Sequence, residues 1–298
     1  MANFGQRVRT GNDIADLDQW MPVDLDYQNS ADTVFYLVVA GGAGGYQGGG
    51  AGAGGLRTNF TNAFGELSGG TPGAIEAAYP VVGGTSYSVI VGTGAAGSAG
   101  GSSTFGTITC AGGGRDGGFG TGEAGGSGGG GGTGGAGTPG QGFAGGSGSV
   151  NSNPIHGPFY YTGGGGAGAV GGSAGGAGRN CTITGSSIGY AGGMAGNSFT
   201  YQSPTNGLYE ASHGGGGRTT GFANGIAGAT PGTTTGGGQA RANSGGGGSN
   251  GSSGIVIIRY ADTFDDLAYI DPGLVYTKST ASGAKIFSFT AGSGTIQF

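Results

Sequence analysis

The chain has 298 residues, of which 84 are glycine and nine proline, with a formal net charge of −5. Glycine at roughly four times its usual share, but with no G-X-Y register and little proline, excludes a collagen helix. An apolar share of 35% beside only 8% charged residues argues against a chain held soluble and unfolded by its charge. The scattered arginines make no basic patch or RGG series, which speaks against nucleic acid as a partner, and no apolar run reaches the roughly 20 residues of a membrane-spanning helix.

Residues 1–32 form a first zone, acidic and nearly free of glycine, with Asp13, Asp16, Asp18, Asp24, Asp26 and Asp32 against Arg7 and Arg9. DIADLDQW within it suits a short helix or an extended arm. The zone holds no signal-peptide apolar core, so synthesis in a cytoplasm is the expectation.

Residues 33–260 are the glycine-rich body, in which strand-like segments alternate with glycine runs. TVFYLVVA (33–40) precedes the tract 41–55, YSVIVGTG (87–94) precedes GAAGSAGG, STFGTITC (103–110) precedes AGGG, and GIVIIRY (254–260) closes the body. TITCAGGG at 107–114 is echoed by TITGSSIGYAGG at 182–193, which suggests one strand-plus-glycine unit used more than once. A three-fold polyproline-II helix has no internal hydrogen bonds, so each buried N–H and C=O needs a partner on another segment. Glycine at nearly every position lets such segments approach closely enough to bond backbone to backbone. The predicted fold class is therefore mainly irregular and all-β: stacked polyglycine-II helices combined with short β-strands, with almost no α-helix.

Four stretches interrupt the scaffold with Tyr, Phe, Asn, Thr and Pro, at 58–80, 150–162, 197–212 and 218–235. They carry Phe60, Phe64 and Tyr79, then His156, Phe159, Tyr160 and Tyr161, then Phe199, Tyr201 and Tyr209, and finally Phe222. Tyrosine-rich, asparagine-rich loops suit recognition, because tyrosine offers a large contact area with few rotatable bonds. The same aromatics also suit caps on the ends of a bundle, and both readings stand at this point. Residues 261–298 return to ordinary composition and end in KIFSFTAGSGTIQF, which reads as a β-hairpin with glycine at its turn.

Catalytic motifs fare poorly. GxSxG occurs at Gly125–Gly129 and Gly171–Gly175, but neither copy has the helix-forming sequence that a nucleophile elbow requires. Glu66, Glu76 and Glu123 have no glycosidase-like spacing. His156 and His213 lack ligand-like neighbours, and Asp262, Asp265 and Asp266 read as a solvated acidic linker. Cys110 and Cys181 have no metal-site spacing; they either pair or sit as buried thiols, the second being preferred. The expectation is a protein that is not an enzyme, with no cofactor and no metal.

The progression YLVVAGGAGG, AGGLR, AYPVVGGTSYSVIVGTG, STFGTITCAGGG and NGSSGIVIIRY, over roughly residues 33–260, resembles the glycine-rich domain of bacteriophage tail-fibre and virion proteins. More distantly it is similar to the distal tail-fibre adhesins of T-even-type phages, in which loops stand on a polyglycine-II sandwich. The resemblance implies a virion structural protein made in the host cytoplasm. It would be a tail-fibre or tail-tip adhesin whose four aromatic stretches contact a host receptor, a glycan or an outer-membrane protein. Residues 1–32 would attach it to other virion or tail proteins. A capsid-decorating or fibre-forming subunit is the alternative, and an ice-binding protein is disfavoured by the irregular loops. KIFSFTAGSGTIQF resembles the hairpin that ordinarily opens such a domain, yet here it comes last. The terminal strands could then close back beside residues 33–40 in the same chain or pair with a neighbouring copy. Exchange within a homo-oligomer, a trimer by preference, is favoured, since strand edges of this quality tend to be paired.

Overall fold

In the computed structural model the described residues are 31–45, 49–60, 76–118, 120–148, 159–160, 162–172, 174–196, 198–199, 245–248 and 250–298. Among them there is no α-helix, and fifteen strands, β1 to β15, carry the regular structure. The all-β class expected from the sequence holds.

Two antiparallel sheets face each other. The first has the order β13-β14-β11-β1-β2, with β3 also paired to β1. Its strands are β1 (Thr33–Val39), β2 (Leu56–Thr58), β3 (Tyr79–Pro80), β11 (Ile255–Ala261), β13 (Val275–Ala281) and β14 (Ala284–Ala291). The second has the order β12-β15-β4-β5-β6, from β4 (Ser86–Ile90), β5 (Ser103–Phe105), β6 (Ile108–Cys110), β12 (Tyr269–Ile270) and β15 (Ser293–Gln297). Period-two alternation sends Val34, Tyr36, Val38, Val256, Ile258, Phe287 and Phe289 inward, where they meet Val89, Phe105, Cys110, Ile296 and Phe298 of the second sheet.

The outer face of the first sheet is covered too. Leu37, Val39, Ile255, Ile257 and Ile286 pack against Cys181, Ile183 and Tyr190, contributed by the hairpin of β8 (Arg179–Cys181) and β9 (Ile188–Tyr190). This double burial explains why β1 and β11 are apolar at almost every position rather than alternating. Cys110 and Cys181 are both free thiols and belong to clusters on opposite faces of this sheet, so the sheet itself separates them.

The glycine tracts continue from the strands, and their N–H groups point sideways to other tracts. Partners recur every third residue. Ala40 and Ala43 donate to the carbonyls of Gly55 and Gly52, Gly41 and Gly44 to Gly101 and Ser98, and Gly42 and Gly45 to Ser252 and Gly248, all at 2.9–3.0 Å. A recurrence of three is what a helix with three residues per turn presents to its neighbours. The tract 50–55 is bonded on all sides: to 40–43, 111–114, 127–130, 162–165, Met194 and Gly245. Segments this close leave no room for side chains. A Cβ on Gly41 would lie 2.0 Å from Thr93 O, and one on Gly113 would lie 2.2 Å from Gly52 O. Where alanine does stand in a tract it can meet other side chains, as where Ala43, Ala51 and Met194 form a small apolar cluster.

Three expectations are corrected. STFGTITC is two strands, because Gly106 turns the chain at φ 54° and makes β5–β6 a tight hairpin. Of the two TIT segments, only the first reaches a strand; Thr182–Thr184 falls between β8 and β9, with Ile183 buried in the outer core. The third concerns the C-terminus. Its hairpin is β13–β14, turning at Ser282 (φ 50°) and Gly283 (φ 68°), a pair of left-handed residues that matches the twist of tight hairpins. KIFSFTAGSGTIQF is not a hairpin, since Gly292 (φ 96°) sends the chain across from one sheet to the other. β14 pairs with β11, and β15 with β4. Both strands thus find partners within the same chain.

Candidate functional site

The tracts define two ends. At one, Ala40, Gly55 and Ala111 are joined by hydrogen bonds directly beneath β1, β2 and β6. At the other, Gly50 is bonded to Thr162 and Gly130, Gly130 to Gly117, and Gly131 to Gly146 and Gly148. Gly148 and Thr162 are the residues from which 149–161 leaves and to which it returns. Met194, bonded to Gly164 and Ala51, leads out to Gly196 at the same end. Counted along the tract from Gly50 to Gly55, these two ends stand roughly 15 Å apart.

Two of the aromatic stretches meet at the far end. β7 (Phe159–Tyr160) pairs with β10 (Ser198–Phe199), Phe159 opposite Phe199 and Tyr160 opposite Ser198. The approach is built on buried polar side chains. Thr162, 8% exposed, donates its hydroxyl to Gly146 O at 2.5 Å and accepts the Gly131 N–H at 3.0 Å. Asp116, 2% exposed, accepts the Gly49 N–H through Oδ2 at 3.1 Å.

The stretch 58–80 opens instead at the sandwich end, and its two flanks are tied to β1. Arg57 grips Glu76 with two bonds of 2.6 and 2.7 Å, and the Tyr36 hydroxyl donates to the same carboxylate at 2.6 Å. Asn59 accepts the Tyr36 N–H at 2.7 Å and donates to Val34 O and Ala77 O at 2.9 and 3.3 Å. Burial drives the Tyr36 hydroxyl far above its usual pKa, reinforced by the bond to Glu76. For Glu76 burial also pushes upward, but the bonds from Arg57 and Tyr36 outweigh it and hold the carboxyl below its ordinary 4.5. Both carboxylate oxygens are occupied, so the arrangement acts as a clamp on the loop ends.

The candidate contact residues divide accordingly. Phe60 is half-buried, edge-on to Phe35 at 5.5 Å between ring centres, with Arg259 over its face at 5.4 Å. Tyr79 packs against Phe105 and Tyr36 in the sandwich core, and its hydroxyl accepts the Thr107 N–H at 3.2 Å. Phe159, Tyr160 and Phe199 are placed by the backbone of β7 and β10. Phe64, His156, Tyr161, Tyr201, Tyr209 and Phe222 lie outside the described residues, as do His213, the whole 218–235 stretch and residues 1–30.

Of the weighed catalytic motifs, Ser173 of the second GxSxG lies outside the described residues, and Ser127 Oγ of the first is buried without a hydrogen-bond partner among them. Ser127 of GGSGG is fully buried, its N–H given to Ala53 O and its carbonyl taken by Gly114. Glu123 is paired with Arg115 at 2.8 Å. Asp266 holds both Lys278 and Lys285, the only two lysines of the chain. Sequence reading did not single out Thr162, Asp116, Arg57 or Asn59. Their signal was positional, a polar residue placed where a glycine tract meets an irregular stretch.

A family model described as a glycine-rich domain matches residues 22–261. No curated protein and no solved structure matches the chain.

Proposed function

We propose, because the chain belongs to the glycine-rich domain family, that it is a bacteriophage virion protein, a tail-fibre or tail-tip adhesin on a polyglycine-II scaffold. The observation that carries this reading is the pairing of β7 with β10 at the end of the glycine lattice remote from the sandwich. It joins two aromatic stretches next to tracts that are hydrogen-bonded to one another through their backbones. A rigid base lowers the ordering cost of recognition by the residues it bears. Residues 1–32 would fasten the protein to other virion proteins, and the tip would bind a glycan or outer-membrane protein of the host. Several copies, a trimer by preference, would multiply weak single contacts through avidity.

Purified protein added before the phage should block adsorption to host cells in proportion to its concentration, as should antibody against it. Particles that lack the protein but adsorb normally would remove the receptor role and leave the decorating or fibre-forming subunit.

A further inference from the structure

We propose that Thr162 is the positioning residue of the tip, a single hydroxyl that fixes where the β7–β10 pair stands on the lattice. The proposal rests on the adhesin reading for its purpose, although its geometry is independent of that reading. Most tract-to-tract bonds run from backbone to backbone, and the side chains that join in include Asp116, Thr138 and Ser147, the last two with a single such bond each. At Thr162 a side chain enters the array. Its Oγ1 lies within bonding distance of three backbone atoms on two other tracts: Gly146 O at 2.5 Å, Gly131 N at 3.0 Å and Gly131 O at 3.0 Å. The Thr162 carbonyl meanwhile accepts from Gly50 at 2.8 Å on a third tract.

Thr162 follows β7 after one intervening residue, and β7 is the strand paired to β10. The tract that Gly50 begins and the tracts that hold Gly131 and Gly146 are therefore joined to the start of the 162–169 tract at one point. Whatever sets the height and angle of Thr162 also sets those of Phe159 and Tyr160, and through them Ser198 and Phe199. The required group is a hydroxyl, able to donate and accept at once; the methyl of threonine is dispensable to the bonds.

The test compares Thr162→Val, which keeps shape and loses the hydroxyl, with Thr162→Ser, which restores it, in the full chain. Amide exchange is read at Gly131, Phe159 and Phe199 and, as a lattice control, at Gly42, whose N–H bonds to Ser252. Retention on host cells is read in parallel. The valine variant should exchange about 5- to 30-fold faster at the first three amides, as loss of one buried hydrogen bond implies. Gly42 should be unchanged, cell retention should fall, and serine should recover both. Acceleration at Gly42 equal to that at Gly131 would make the residue a general lattice support and overturn the proposal, as would unchanged exchange at Phe159 and Phe199. If the unmutated protein is not retained on cells, the adhesin reading fails, and the exchange pattern alone decides the role of Thr162.

Discussion

Substituting alanine at Gly113 measures how far the lattice depends on glycine. The added Cβ would sit 2.2 Å from Gly52 O, 2.8 Å from Ala43 N and 2.9 Å from Ala53 C, all backbone atoms with no rotamer to yield. An ordinary carbon–oxygen contact is about 3.3 Å, so the tracts must part by about 1 Å. The bonds Gly52 N to Gly114 O (2.9 Å) and Gly55 N to Ala111 O (2.8 Å) join those same tracts, and Gly113 itself donates to Gly41 O at 2.9 Å. Stretched by about 1 Å, such bonds pass the roughly 3.2 Å limit of a useful hydrogen bond. Three bonds at about 1 kcal/mol each, less about 0.4–1 kcal/mol gained by restricting the unfolded chain, leave a loss of roughly 2–3 kcal/mol. At roughly 2 °C per kcal/mol for a chain of this size, Tm should fall by about 4–6 °C. Gly172→Ala is the control, since its nearest neighbour, Ala174 O, is 4.0 Å away; it should be neutral or slightly stabilising. Thermal melts by circular dichroism or calorimetry read the difference. If Gly113→Ala melts within about 1 °C of Gly172→Ala, the tracts are not close-packed as described and the reasoning fails.

The remaining predictions follow from other parts of the molecule. Glu76 has a pKa lowered by its partners, so its contribution is complete above the unfolded value and is lost as pH falls through the folded one. Tm should therefore decline more steeply between pH 5 and the acid limit in the unmodified protein than in Glu76→Gln, and parallel curves would refute the clamp. Burial drives the Cys110 thiol well above its ordinary range and the Cys181 thiol up to about 11. Neither should react with a colorimetric thiol reagent at pH 8 until denaturant is added, and reductant should leave Tm unchanged. Removing residues 284–298 strips Ile286, Phe287, Phe289, Ile296 and Phe298 from the core. At about 1.5–3 kcal/mol per buried side chain, that loss rivals the roughly 5–15 kcal/mol of a whole domain, so the truncated chain should be recovered only in the insoluble fraction. Amides of Gly41–Gly45 and Gly50–Gly55 should be protected from hydrogen exchange; free exchange there would mean that the tracts are not bonded to one another.

Much of the fold was legible because two signals are written locally. Apolar β-branched runs at 33–39 and 255–261 could only be strands, and their lack of alternation reflects a sheet covered on both faces. Glycine at consecutive positions announces that backbones touch, since no other residue leaves space for it. The candidate site was legible only in part. Tyr79 and Phe159 belong to stretches of similar composition, yet one is packed into the sandwich core while the other lies in a strand at the opposite end. Composition cannot separate these cases, because whether an aromatic caps a core or stands at a tip depends on which tract precedes it and which way that tract runs.

The amino-acid order by itself determined that this chain would build with strands and close-packed glycine segments, because periodicity, β-branching and the missing Cβ act within a few residues. Tertiary structure alone decided which tract lies beside which, that β14 and β15 close within the chain, and that Thr162 stands where three tracts converge. One glycine tract is chemically almost the same as another, so their pairing is set by the sandwich strands that launch them and the turns that return them. Those constraints act across the whole chain, as in the bonds between Gly42 and Ser252 and between Gly54 and Gly245.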